Sequence, residues 1–199
     1  MSDDAQASRR RSGRLKLGLL ATLFLGPLLA AAWLYYSGGS LAPEGRTNAG
    51  ALLEPIVNVS EAMPGTTLAV LSGGEAEGRW SLLYANEGLC AADCEAALYK
   101  MRQSRKMLGR DMTRLARLFL HGESAPDKVL LETEHDGLVT IKSSDLGQVL
   151  DRARPADLAP GGLYLIDPLG NLVMYFPGDL APAEMVADIE HLLDLSRIG

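Results

Sequence analysis

The apolar positions of this 199-residue chain fall into three kinds of pattern. Residues 17 to 36, LGLLATLFLGPLLAAAWLYY, are an unbroken uncharged run. Twenty residues at about 1.5 Å rise each cross a bilayer core of about 30 Å. Short continuous apolar stretches bounded by turn residues follow and read as strands: TTLAVLS (66–72), RWSLLYA (79–85), RLARLFL (114–120) and LVTIKS (138–143). Helical spacing governs three segments. One begins at Asp93 and carries the stripe Ala97, Leu98, Met101, Leu108 and Met112. Another is SSDLGQVLDRAR (143–154), capped by Ser144 or Asp145. The last is opened by Pro182 and lined by Met185, Val186, Ile189, Leu192 and Leu193. LYLIDPLGNLVMYF reads as a hairpin whose Asp167, Pro168, Leu169 and Gly170 suit a type I turn. Strands and helices that alternate in this way predict an α/β domain, a central mixed sheet flanked by helices.

The pattern divides the chain into a basic tail (1–16), a transmembrane helix (17–36), a linker (37–64) and a folded domain (65–199). The linker opens with SGGSLAPEGRTNAG, a flexible tether by composition. Its second half, ALLEPIVNVSEAMPG, is apolar enough to dock on the domain in extended form. Asn58-Val59-Ser60 within it matches a glycosylation sequon, relevant only in a eukaryotic secretory host.

Charge sharpens this division. The chain carries −6, but five of its 19 basic and two of its 25 acidic residues precede residue 17. The remainder holds 14 basic and 23 acidic residues, a charge of −9, which argues against nucleic-acid binding. Arg9, Arg10, Arg11, Arg14 and Lys16 keep the N-terminus in the cytoplasm by the positive-inside rule, so the domain faces the other side. Trp33, Tyr35 and Tyr36 belong to the far interface. A cleaved signal peptide ending near LAAA is the alternative, although its apolar core would be shorter, about 7 to 15 residues. SRRRSGRLK fits a positive flank better than a twin-arginine signal.

Both cysteines, Cys90 and Cys94, stand in YANEGLCAADCEAALYKM, between the strand at 79–85 and the helix that follows. Residues at i and i+4 on a first helical turn point to the same side. The pair therefore suits a reversible disulfide, a soft ion such as Cu(I), or a structural staple. A staple over so short a loop gains little chain entropy. The helix start favours a thiolate at Cys90, and Glu87, Asp93 and Glu95 oppose it.

RWSLLYANEGLCAADCEAALYKM, the late hairpin LYLIDPLGNLVMYF and the single N-terminal anchor together resemble the Sco/SenC group of membrane-anchored, thioredoxin-fold assembly proteins of cytochrome c oxidase. The resemblance spans roughly residues 65 to 197. It implies a thioredoxin-like fold in the bacterial inner membrane, with the domain in the periplasm, or in the mitochondrial inner membrane of a eukaryote. It also implies a role in thiol–disulfide exchange at, or copper delivery to, the dinuclear copper site, with an oxidase subunit or its assembly factors as partner. Cys90 and Cys94 would be the catalytic pair and the Cu(I) ligands. The chain departs from the family pattern in two places. Glu95 follows the second cysteine where the family has proline, and the region RPADLAPGGLYLID lacks the family's copper-ligating histidine, whose place falls near Ala159. His121, His135 and His191 read as solvent-exposed, and Met101 and Met107 as helix core. Pro160 stands about where thioredoxin-like reductases place a cis-proline beside the cysteines. A general periplasmic thiol reductase and a binding module without chemistry are the alternatives.

Overall fold

The computed structural model describes residues 3–36, 48–124, 127–196 and 198. They belong to two compact units, Met1–Thr47 and Asn48–Gly199. In the first, α1 (Asp3–Tyr36) is one helix of 34 residues. It begins inside the segment expected as a basic tail, because no residue between Asp3 and Lys16 forbids helix. Pro27 lies within it. From Lys16 to Trp33 the helix is long and apolar enough to cross a membrane. Residues 37–47 of the expected linker lie outside the described residues.

The second unit is built on six strands, β1 (Ala51–Asn58), β2 (Trp80–Asn86), β3 (Leu115–His121), β4 (Leu138–Ile141), β5 (Leu163–Ile166) and β6 (Asn171–Phe176). They form one mixed sheet in the order β1-β6-β5-β2-β3-β4. The strand β2 runs parallel to β3 and antiparallel to β5, and β4 extends β3 in parallel. The helices are α2 (Val59–Ala62), α3 (Leu68–Leu71), α4 (Ala92–Met107), α5 (Lys128–Glu134), α6 (Ser144–Ala153) and α7 (Pro182–Leu195).

One sheet face buries Leu82, Tyr84 and Phe119 with Leu98 and Met101 of α4 and Met185 and Ile189 of α7. The other buries Leu83, Leu118 and Tyr164 with Leu146 and Leu150 of α6. Each such side chain contributes about 1.5–3 kcal/mol by leaving water, which fixes the layers on both sides of β2.

The expected hairpin is present: the Gly170 N–H donates to the Asp167 carbonyl at 3.0 Å, closing the β5–β6 turn. Elsewhere the structure corrects the sequence reading. TTLAVLS is not a strand, because the Thr67 hydroxyl accepts from the Val70 N–H at 3.2 Å and caps α3. The stretch 51–58, read as docked linker, is the edge strand β1, paired antiparallel with β6. The helix α5 has no counterpart in the reading. The cap of α6 is Ser143, one residue earlier than expected. Met107 and Met112 are exposed, since α4 ends at Met107 and a 3-10 turn (Gly109–Arg114) follows.

Gly50 locks the start of β1. Its N–H donates to the buried Asp188 carboxylate of α7 at 2.8 Å. A Cβ there would lie 2.6 Å from Met174 Sδ and 2.6 Å from the Phe176 ring. Gly50→Ala is therefore expected to lower stability by about 1–3 kcal/mol through overpacking. A thermal melt of the purified chain checks it, and an unchanged midpoint would mean that β1 does not seat against β6 as described.

Candidate functional site

The strand β2 ends at Asn86, paired with His121 at the end of β3. Because β5 runs the other way, its first residue, Leu163, lies opposite Tyr84. The loop after β2 and the segment before β5 therefore meet at one end of the sheet, where Cys90 and Cys94 sit.

The two cysteines form a disulfide, with Cα atoms 5.1 Å apart. Cys90 precedes the α4 cap residue Ala91, and Cys94 occupies the first turn. Cys94 is 3% exposed, whereas Cys90 is half-buried. Ala91 makes no side-chain cap bond, so the N–H groups of the first turn keep their pull on negative charge near Cys90. Asp93 and Glu95, both exposed, counter it from within that turn. Exposed Leu89 leads into Cys90.

Pro160 is trans; among the described residues the one cis peptide is Glu54–Pro55. The segment around Pro160 is held from below. The Tyr175 hydroxyl donates to the Ala159 carbonyl at 2.6 Å and accepts from the Gly162 N–H at 2.8 Å. Glycine is required at 162, since a Cβ would lie 2.2 Å from the Phe176 carbonyl oxygen.

Two clefts flank Pro160. The larger, about 510 Å³, opens on the α6 side and is lined by Asn86, Glu87, His121, Lys142 and Arg154. The smaller, about 460 Å³, lies against α4 and is lined by Tyr84, Asp93, Lys100, Leu163 and Asp179. Burial, and then the Asp93 carboxylate, hold the Tyr84 phenol above its ordinary range. Burial lowers Lys100, whose ammonium donates to the Gly178 carbonyl. Neither cleft was legible in the sequence, because both depend on which loops meet at this sheet end. The tyrosine near the end of an apolar strand was the one available signal.

The histidines are not uniformly exposed, as the sequence had implied. His191 is exposed. His121 is half-buried, with Nδ1 2.8 Å from the Gly122 carbonyl oxygen. His135 is buried at 4% exposure, and its Nδ1 has no hydrogen-bond partner among the described residues. Helix α5 and its following turn, which the sequence reading lacked, carry His135 into the protein. There Arg117 donates to the Asp136 carbonyl and Arg102 to the Glu134 carbonyl. Burial, with Arg105 and Arg102 nearby, pushes the Arg117 guanidinium down to about 10. Among the described residues no three His, Cys, Asp or Glu side chains gather as a metal-holding group. Met101 is fully buried in the core, as its spacing implied.

Two family models match the chain: the transmembrane-like, thioredoxin-like, C-terminal domain over residues 80–196, and the transmembrane-like, N-terminal domain over residues 6–38. Among solved structures, the chain is similar to the apo Sco1 protein from Thermus thermophilus, at 16% identity and a TM-score of 0.53. That match covers 77% of this chain and 99% of the other. It is also similar to yeast Sco1, at 19% identity and a TM-score of 0.50, over 61% of this chain and 83% of the other. At these identities the likeness is one of fold, and it is the thioredoxin-like fold of Sco/SenC proteins that the sequence resemblance implied. No curated protein matches the chain.

Burial, Arg102 and Arg117 hold the His135 imidazole below its usual 6.5. Between the folded and unfolded values the unfolded chain binds more protons. The group's contribution to stability is thus full above about pH 6.5 and is lost as pH falls through the depressed value. Urea unfolding from pH 7.5 down to 5 should show this loss, and His135→Gln should flatten it. Equal slopes for variant and wild type would show that His135 does not enter the fold in its neutral form.

Proposed function

Because this chain belongs to the family with a transmembrane-like N-terminal domain and a thioredoxin-like C-terminal domain, we propose that it is a membrane-anchored thiol–disulfide exchange protein. It acts through Cys90 and Cys94 outside the cytoplasm, in the assembly of cytochrome c oxidase. The observation that carries the chemistry is the asymmetry of the pair: one half-buried and one buried sulfur, joined at the start of a 16-residue helix. An incoming thiolate reaches Cys90 in preference to Cys94. In the reducing direction the Cys90 thiolate attacks a target disulfide, forms a mixed disulfide and releases one target thiolate. The Cys94 thiolate then attacks the Cys90 sulfur and releases the second. The target gains two electrons and two protons, and the protein is left as the Cys90–Cys94 disulfide. A partner dithiol returns it to the reduced form by the reverse exchange.

The oxidase setting rests on the fold shared with Sco proteins and on the anchor, and the partner under this reading is an oxidase subunit or an assembly factor. Copper enters as cargo rather than as a resident cofactor. Two thiolates suit Cu(I), whereas the imidazole expected near Ala159 is replaced by a carbonyl committed to Tyr175. Exchange explains the site with the residues present, so it is the primary reading.

Dithiothreitol should open the disulfide in the native protein and expose two thiols, and Cys90 should alkylate before Cys94. A disulfide that resists excess reductant without unfolding would end the exchange reading and leave a structural staple.

The orientation is separately testable. With five basic residues ahead of the span, the domain should lie on the far side of a bacterial inner membrane. Alkaline phosphatase fused after Gly199 should be active. A cytoplasmic reporter that is active there instead would remove the domain from the oxidising compartment in which the exchange is placed.

A further inference from the structure

The cleft of about 460 Å³ between α4 and the loops around Pro160 and Asp179 is lined on its α4 side by Asp93, the residue before Cys94. Its Tyr84 is 4% exposed, with its ring stacked on Phe119 at 5.9 Å. The hydroxyl makes no hydrogen bond to any described residue, yet Tyr84 lines the cleft. Its oxygen is free to meet an entering group, and the stacked ring face is not. Two carboxylates line it, Asp93 on α4 and Asp179 after β6, and both residues are exposed. The one cation lining the cleft, Lys100, donates to the Gly178 carbonyl and also feels the Asp179 carboxylate, so Asp93 is the carboxylate left without a neighbouring cation in the cleft. Between these polar groups the walls are apolar, with Ala96 and Leu163 among them.

We propose that this cleft is a subsite for a basic side chain of the exchange partner, a lysine next to the reacting cysteine. The inference rests on the exchange reading above and names its substrate class. A lysine fits each part of the cleft. Its methylene stem lies along Ala96 and Leu163, as long basic side chains do on apolar surface. Its ammonium carries three donors and no acceptor, matching three acceptors: the Asp93 and Asp179 carboxylates and the Tyr84 oxygen. Asp93 stands between Cys90 and Cys94 in sequence, so a lysine held there keeps its neighbouring cysteine beside the pair. An acidic neighbour meets two like charges instead. In the larger cleft the Glu123 carboxylate is already taken by Lys142 at 2.8 Å, and Arg154 stands with Glu87 and Asp151.

The probe is a set of capped tetrapeptides that differ only in having Lys, Gln or Glu beside a central Cys, with a second set in which Ser replaces that Cys. In the first set the peptide thiolate attacks the Cys90 sulfur. A peptide–Cys90 disulfide forms and Cys94 leaves as thiolate. Rates against the full chain in detergent are normalised to the same peptides reacting with hydroxyethyl disulfide. The Lys peptide should react about five-fold or more faster than Gln, with Glu slower still. This preference should shrink as salt rises. Binding of the Ser peptides should follow the same order without any redox step. Asp93→Asn and Asp179→Asn should each reduce the Lys-to-Gln ratio, and Tyr84→Phe should reduce it with the ring kept in place. Glu61→Gln, an exposed carboxylate elsewhere, should not change it. Equal binding of the Lys and Gln forms of the Ser peptides would overturn the subsite, even if exchange proceeds. Preference for the Lys form with no exchange at all would keep the subsite and end the exchange reading.

Discussion

Strand β2 has no solvent face. Leu82 and Leu83, on opposite sides of it, are both fully buried, one among α4 and α7 and the other among α6 and the first residues of the unit. This double burial fixes the register of both neighbours, since a slip by one residue would exchange the two faces. With β3 parallel and β5 antiparallel, three chain segments are then obliged to meet where β2 ends: the cysteine loop, the turn after β3 and the Pro160 segment. The site is assembled from loops, but its geometry is dictated by the strand beneath it. Polar groups follow the same rule. Tyr175 is buried in the sheet, yet its hydroxyl bonds reach Ala159 and Gly162 and hold the far wall at a set height.

The electrostatics of the disulfide follow from this placement. A helix start without a capping side chain favours an anion on Cys90, whereas Asp93 and Glu95 in the first turn and Glu87 before it disfavour one. Lys100, the nearest base on the helix face toward the cleft, is drawn to the Gly178 carbonyl and lowered by burial. The helix start and these carboxylates thus act on Cys90 in opposite directions. Such a balance suits exchange in both directions better than a one-way oxidant, whose thiolate must be strongly stabilised.

The parts of the fold legible in the sequence were those where pattern and burial agree. RWSLLYA and RLARLFL are predominantly apolar and became the buried strands β2 and β3, with Ser81 and Arg117 as their buried polar residues. LYLIDPLGNLVMYF carried both its strands and its turn chemistry in one stretch. Where packing overrode local pattern, the reading failed. TTLAVLS is as apolar as a strand, but Thr67 caps a helical turn and Val70 is left exposed. ALLEPIVN contains a proline and a charge, so it reads as linker; it pairs only because an edge strand needs hydrogen bonds on one side. The cysteines were legible as a pair able to join, as they do, because their spacing needs no tertiary information. The clefts and the burial of His135 were not, since α5, a helix of seven residues, decides where that imidazole goes.

His135 also bears on what the cysteine pair can hold. It is the one buried imidazole, and a third ligand for copper would have to be sought there or in the half-buried His121. Its neighbours argue against it. Burial, and then Arg102 and Arg117, lower its proton affinity, with Glu134 and Glu95 opposing them only in part. The same two guanidinium charges disfavour a cation beside the ring. Arg117 donates to the carbonyl of Asp136, the next residue, and its Nε and Nη1 are buried without partners among the described residues. His121 is instead turned toward the Gly122 carbonyl. Under the exchange proposal the two cysteines act together without an imidazole. On that proposal a pair of thiolates exchanges electrons with another sulfur pair directly, and a metal would be cargo rather than a resident.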